Sequence, residues 1–140
     1  MAFASVAAVL ATALLLGGMV FFAAAMAPLI FTRLPDGQAG PFIRQVFPVY
    51  YLYVAGTAAA AAVALLPVRG WDALAMAAVA GATLWLRQVQ MPRINADSDL
   101  AQATGDATAK ARFARGHRLS VVVNFAQMAV AAVVLARFAV

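Results

Sequence analysis

Residues 3 to 32, FASVAAVLATALLLGGMVFFAAAMAPLIFT, contain no charged side chain. As a helix at 1.5 Å per residue this run reaches about 45 Å, more than a hydrocarbon core of about 30 Å requires. It is too long for a signal-peptide core and lacks a basic segment ahead of it, so it reads as a first membrane span. Composition agrees: 66% of the 140 residues are hydrophobic and 11% charged, and the mean hydropathy is +0.90. A chain of this length holds about four spans of roughly 20 residues and no separate soluble domain. Cysteine is absent, which removes disulfides, thiolate metal sites and a cysteine nucleophile from consideration.

Residues 33 to 48 open with Arg33 and turn-forming Pro, Asp and Gly, followed by a short amphipathic piece expected to lie as an interfacial helix. A second span is expected over 49–67, with Tyr50, Tyr51 and Tyr53 at its start as an aromatic belt. The brief VRG link makes it a hairpin with a third span over 71–91, which Pro92 should stop. A polar loop is expected over 92–110, with a helix restarting near Asp106, where Asp106 and Lys110 stand at a favourable spacing. A fourth span covers 111–137. The expected architecture is a single all-α domain over 1–140, an up-down antiparallel bundle of four transmembrane helices.

Charge placement sets the orientation. The first and third connections with their flanks hold Arg33, Arg44, Arg87, Arg93, Lys110, Arg112, Arg115 and Arg118, against Arg69 and Arg137 on the opposite side. The positive-inside rule puts the polar loop in the cytoplasm and both termini outside. The net charge of +5 is thus spent on topology, and a nucleic-acid partner is not expected. Arg112, Arg115 and Arg118 would contact lipid phosphates.

At about 100° per residue, His117, Ser120, Asn124 and Gln127 fall within an arc of roughly 80° on the fourth span. Amides in hydrocarbon need partners, so this stripe faces protein. It serves either as interhelical packing or as one wall of a polar site. A neutral imidazole at His117 can ligate haem iron or a metal, yet a lone histidine does not make a metal site. Six methionines raise soft-metal handling, without a Met-x-x-Met pair to support it. No phosphate loop, nucleophile-and-base pair or paired carboxylates argue for catalysis.

The ordered set GGMVFFAAAMAPLIFTRLP, FIRQVFPVYY, MPRIN and FARGHRLSVVVNFAQ resembles the transmembrane protein 205-like family, also described as domain of unknown function 4149. The resemblance implies a four-span protein of the bacterial inner membrane with recurring positions at Gly18, Phe22, Pro28, Phe31, Phe47, Pro48, Tyr50, Tyr51, Pro92, Asn95, His117, Ser120 and Asn124. It supplies no activity. The architecture is also similar to the copper-resistance-D-like group, which includes a four-helix protoporphyrinogen oxidase with a histidine in its first helix. The first span here has none, although His117 remains a candidate axial ligand. These positions group at the cytoplasmic ends of the spans and imply one polar pocket built from Arg33, Tyr50, Tyr51, Asn95, His117, Ser120 and Asn124, with Gln127 continuing the stripe. The expected role is non-catalytic binding, transport or accessory function. Expected partners are the bilayer and either a larger membrane complex or a second copy, the latter suited by small-residue faces such as GTAAAAA.

Overall fold

The computed structural model of the chain describes residues 2–139, and among these all regular structure is helical. Helix α1 (Ala2–Phe21) passes through a π turn (Phe22–Met26) into α2 (Ala27–Arg33). The cause of the π turn lies just beyond it. Pro28 has no N–H for the carbonyl of Ala24, and its ring would crowd that carbonyl in a regular helix. The turn widens, and the Ala27 N–H bonds the Phe22 carbonyl five residues back. Helix α2 ends where Leu34 becomes extended ahead of Pro35, the conformation a following proline favours. Gly37, at φ +79°, then turns the chain.

Helix α3 (Ala39–Leu65) carries Pro48 in its interior. The expected separate interfacial helix is therefore not present; its residues form the first turns of α3. Residues 66–69 link α3 to α4 (Gly70–Trp85), which enters a second π turn (Leu86–Gln90) and continues as α5 (Met91–Thr104). Pro92 was expected to end the helix, with a polar loop following. Instead the Met91 N–H bonds the Leu86 carbonyl, and Pro92 sits at the start of α5, where its missing donor costs little. The region expected to be a loop over 92–110 is thus helical as far as Thr104. Gly105, left-handed at φ +70°, terminates α5. The Asp106 carboxylate accepts from the N–H groups of Thr108 (2.9 Å) and Ala109 (3.3 Å), so it caps α6 (Ala107–Ala136) rather than reaching for Lys110.

Three helical stretches are long and apolar enough to cross a membrane: Phe3–Arg33, Ala39–Leu65 and Ala107–Ala136. Helix α4, with 16 residues and Asp72 in its first turn, is not among them. The protein is a membrane-embedded, all-helical chain. Helix α1 packs on α3 and α6, α3 on α4, and α4 on α6, while α5 lies along α6.

The interior is built from alanine and aliphatic or thioether side chains, with Ala8, Leu15 and Met19 of α1, Val54, Ala58, Ala61 and Leu65 of α3, and Met76 of α4 fully buried. Phe3, Val6, Leu10 and Leu14 stand exposed at helical spacing on α1, the face a lipid tail would cover. Lipid offers these side chains as good a solvent as protein does, so close contact rather than hydrophobic expulsion joins the helices. Gly18 shows this. The Tyr53 ring lies across it, with its hydroxyl donating to the Leu14 carbonyl, and a Cβ at Gly18 would stand 2.3 Å from Tyr53 Cε1. At Gly17 a Cβ would meet nothing within 4 Å. Gly18→Ala is therefore expected to destabilise by about 1–3 kcal/mol as Tyr53 is displaced, whereas Gly17→Ala gains up to about 1 kcal/mol of helix propensity. Unfolding of both variants in mixed micelles checks the contrast, and equal behaviour would contradict the close approach.

At the far ends of α4 and α6, Asp72 is 3% exposed. Arg137 donates to its Oδ1, and Arg69 Nη1 stands 3.8 Å from its Oδ2. The Arg69 guanidinium also lies over the Phe138 ring, 4.7 Å from the centroid. The two arginines of this side of the molecule share one carboxylate.

Candidate functional site

Between the first π turn, α3, α5 and α6 lies a cavity of about 400 Å³. Its floor is aromatic. Phe22, set by the π turn, stacks on Tyr50 at 4.3 Å between centroids, and Phe47 stacks on Tyr51 at 5.6 Å. Residues 47, 50 and 51 share a face because they lie three and four apart on α3. The Tyr50 hydroxyl donates to Asn124 Oδ1 at 3.0 Å, joining α3 to α6. The Tyr51 hydroxyl meets the Ser120 side chain, whose Oγ in turn donates to the Gly116 carbonyl at 3.2 Å.

The wall between α5 and α6 depends on Gly116. Gln90 Nε2 donates to its carbonyl at 3.3 Å, and a Cβ there would stand 3.0 Å from Ile94 Cγ1. The missing side chain lets α6 approach α5 closely, which places His117 and Ser120 on the cavity. His117 stacks nearly parallel on Phe113, with centroids 6.0 Å apart. At the mouth, Arg44 Nη2 donates to the Asn95 carbonyl at 3.4 Å, and Arg44 Nη1 pairs with Asp99 at 2.6 Å.

Of the residues the sequence suggested, Tyr50, Tyr51, Asn95, His117, Ser120 and Asn124 line this cavity. Arg33 does not: it ends α2 and is exposed. Gln127 does not either. It is buried between α6 and α4, where its Nε2 donates to Thr83 Oγ1 (3.1 Å) and the Val79 carbonyl (3.3 Å), so it serves interhelical packing. Arg44 was not among the expected pocket residues, although Arg44, Phe47 and Tyr51 stand at i, i+3 and i+7. That pattern is visible once 39–48 is read as helix. Asp97 and Asp99, within the region expected to be a polar loop, are ion-paired on α5: Asp97 with Arg112 at 2.7 Å, Asp99 with Arg44. Arg112 is therefore tied to protein, while Arg115 and Arg118 are exposed.

Among the described residues no three His, Cys, Asp or Glu side chains gather where they could hold a metal ion. Met19 and Met76 are fully buried in the interior and do not reach the cavity, whereas Met91 lines it with no second methionine beside it among the described residues. The groups that do reach it are hydroxyls, amides, an imidazole and a guanidinium around an apolar floor, an arrangement suited to recognition.

No curated protein and no solved structure matches the chain. Residues 10–103 match a family model, a stretch that includes Tyr50, Tyr51 and Asn95 and leaves His117, Ser120 and Asn124 beyond its end. The chain belongs to the family described as Domain of unknown function (DUF4149).

Proposed function

We propose that this is a four-span, up-down antiparallel protein of the bacterial inner membrane that holds a small ligand in the cavity, in a binding, transport or accessory role. In this reading α4 with its following π turn is the third span, the basic ends of the helices face the cytoplasm and the termini face the periplasm. The wider likeness to transmembrane protein 205-like proteins rests on the order of the motifs. The observation that carries the ligand reading is the Tyr50–Asn124 hydrogen bond inside an aromatic cavity of about 400 Å³. Small-molecule sites commonly span about 300–1,000 Å³, with a few polar groups set in apolar walls. A polar pair needed only for packing would be enclosed as Gln127 is, whereas Asn124 is partly buried and lines the cavity.

Asn124→Leu is expected to abolish retention of the co-purifying ligand, read by native mass spectrometry, while the unfolding midpoint stays near that of the parent. Gln127→Met should show the reverse, a stability loss of about 0.6 kcal/mol, typical of membrane interhelical hydrogen bonds, with ligand content unchanged. Equal loss of fold and ligand in Asn124→Leu would make the pair a packing contact.

His117 on the cavity wall carries a second reading, a haem- or porphyrin-handling protein akin to the four-helix oxidase within the copper-resistance-D-like group. His117 would be the residue to hold the iron through a ring nitrogen, and the aromatic residues would supply apolar contact. An absorption spectrum of the purified protein tests this: a Soret band lost in His117→Ala supports haem, and a colourless protein removes it.

A further inference from the structure

We propose that the cavity takes an anionic single-chain amphiphile, its carboxylate or phosphate headgroup held by Arg44 at the mouth and its tail laid on the aromatic floor. This rests on the ligand-binding reading above and names the class of ligand. Among the described residues the lining includes the Arg44 guanidinium and no carboxylate, and the carboxylate that pairs with Arg44, that of Asp99, stands at the mouth outside the lining. A guanidinium matches carboxylate and phosphate oxygens with paired N–H donors.

Arg44 already holds an anion that is easily exchanged. Its partner Asp99 comes from α5, and the two side chains are 33% and 64% exposed. A pair so open to solvent contributes little, and an incoming headgroup can take the place of Asp99 with small loss. The hydrogen bond from Arg44 Nη2 to the Asn95 carbonyl does not involve Asp99, so the guanidinium stays at the mouth when its counter-ion changes.

The rest of the cavity argues for a tail. Moving inward along α3 from Arg44, the lining passes to Phe47 and then to the Phe22–Tyr50 stack. A free anion would leave those surfaces unmet, and a neutral lipid would leave Arg44 with Asp99. A volume of about 400 Å³ suits one chain with its headgroup and is too small for a two-tailed phospholipid.

The test is binding of radiolabelled palmitate to the full-length protein in maltoside micelles, with unlabelled palmitate, dodecyl phosphate, hexadecanol and inorganic phosphate as competitors. Palmitate and dodecyl phosphate are expected to compete, hexadecanol at least tenfold more weakly, and inorganic phosphate not at all. Arg44→Gln should weaken palmitate roughly tenfold to a hundredfold, as expected for loss of a charge-assisted hydrogen bond, and leave hexadecanol unchanged. Arg44→Lys should restore part of the loss. Asp99→Asn removes the competing carboxylate and should tighten palmitate, which gives a readout even if Arg44→Gln folds poorly. Equal affinity for hexadecanol and palmitate would overturn the anionic headgroup, while the cavity reading survives if binding still disappears in Asn124→Leu. Competition by inorganic phosphate alone would overturn the tail. Absence of binding by every probe would overturn this proposal, and the cavity reading falls separately only if no ligand co-purifies with the parent protein.

Discussion

Replacing Arg137 with methionine is expected to lower stability by about 2 kcal/mol, and the loss should largely vanish when Asp72→Asn is added. Asp72 is 3% exposed, and Arg137 is the partner that hydrogen-bonds it; Arg69 stands at 3.8 Å, beyond hydrogen-bond reach. Breaking a buried pair from one side typically costs about 3–5 kcal/mol, because the remaining charge is left without compensation. The Arg137 side chain is 52% exposed, so solvent screening trims its share below that range. Asp72→Asn alone should cost less than Arg137→Met, since the half-exposed arginines it releases can turn to water or headgroups. Denaturation of the two single variants and the double variant in mixed micelles forms the cycle that isolates the pair. Strict additivity would mean that Arg137 and Asp72 do not depend on each other.

Gly116→Leu is expected to cost about 2–3 kcal/mol, the upper part of the range for overpacking, and to empty the cavity as well. The first added atom would stand 3.0 Å from Ile94 Cγ1 and 3.2 Å from Gln90 Nε2. A Cβ alone asks Ile94 to shift slightly, whereas the further atoms of leucine have no such room, because Cγ1 sits close to the backbone on a β-branched side chain and cannot swing clear as a flexible end would. Helix α6 must therefore part from α5, breaking the Gln90 hydrogen bond to the Gly116 carbonyl and moving His117 and Ser120 off the cavity. Gly116→Ala should lie near neutrality, because about 1 kcal/mol of helix propensity offsets a slight displacement of Ile94. Unfolding and co-purified ligand measured on the same preparations separate the two effects. A Gly116→Leu protein with parental stability would show that α5 and α6 are not held this close.

The membrane helices were legible because lipid imposes a coarse rule: a charge-free run such as 3–32 has few other ways to satisfy its backbone. The segment 92–104 was not legible. Its composition is polar and it begins with proline, both local signals for a loop, whereas its helicity depends on a widened turn upstream and on pairing with α6 through Asp97 and Arg112. Asp72 was passed over for a related reason. A carboxylate at a helix start reads as solvated until the chain is folded and the arginine 65 positions later arrives beside it.

The cavity residues on α6 were suggested by their shared arc, but an arc records direction and not neighbour. Asn124 and Gln127 are three positions apart and point similarly, yet one looks into the cavity beside Tyr50 and the other into α4 beside Thr83. For Arg33 and Arg44 the missing information was register. Both stand near the expected interface, and only knowledge that α3 begins at Ala39 places Arg44 in register with Phe47 and Tyr51.

The two π turns, each just ahead of a proline, make the chain tolerant of a change in length at two places. A π turn accommodates one residue more than the α-helix around it while the flanking segments keep their alignment. Removing one alanine between Phe22 and Met26 together with a Pro28→Ala change would return that stretch to a plain α-helix, with α1 still meeting α3 and α2 still ending at its turn. Removing one residue between Leu86 and Gln90 together with Pro92→Ala would do the same for the second turn. What such a shortened protein would lose is the displaced Phe22 ring and the offset between α4 and α5. One-residue deletions at these turns therefore offer a way to reshape the cavity by altering the backbone count rather than its side chains.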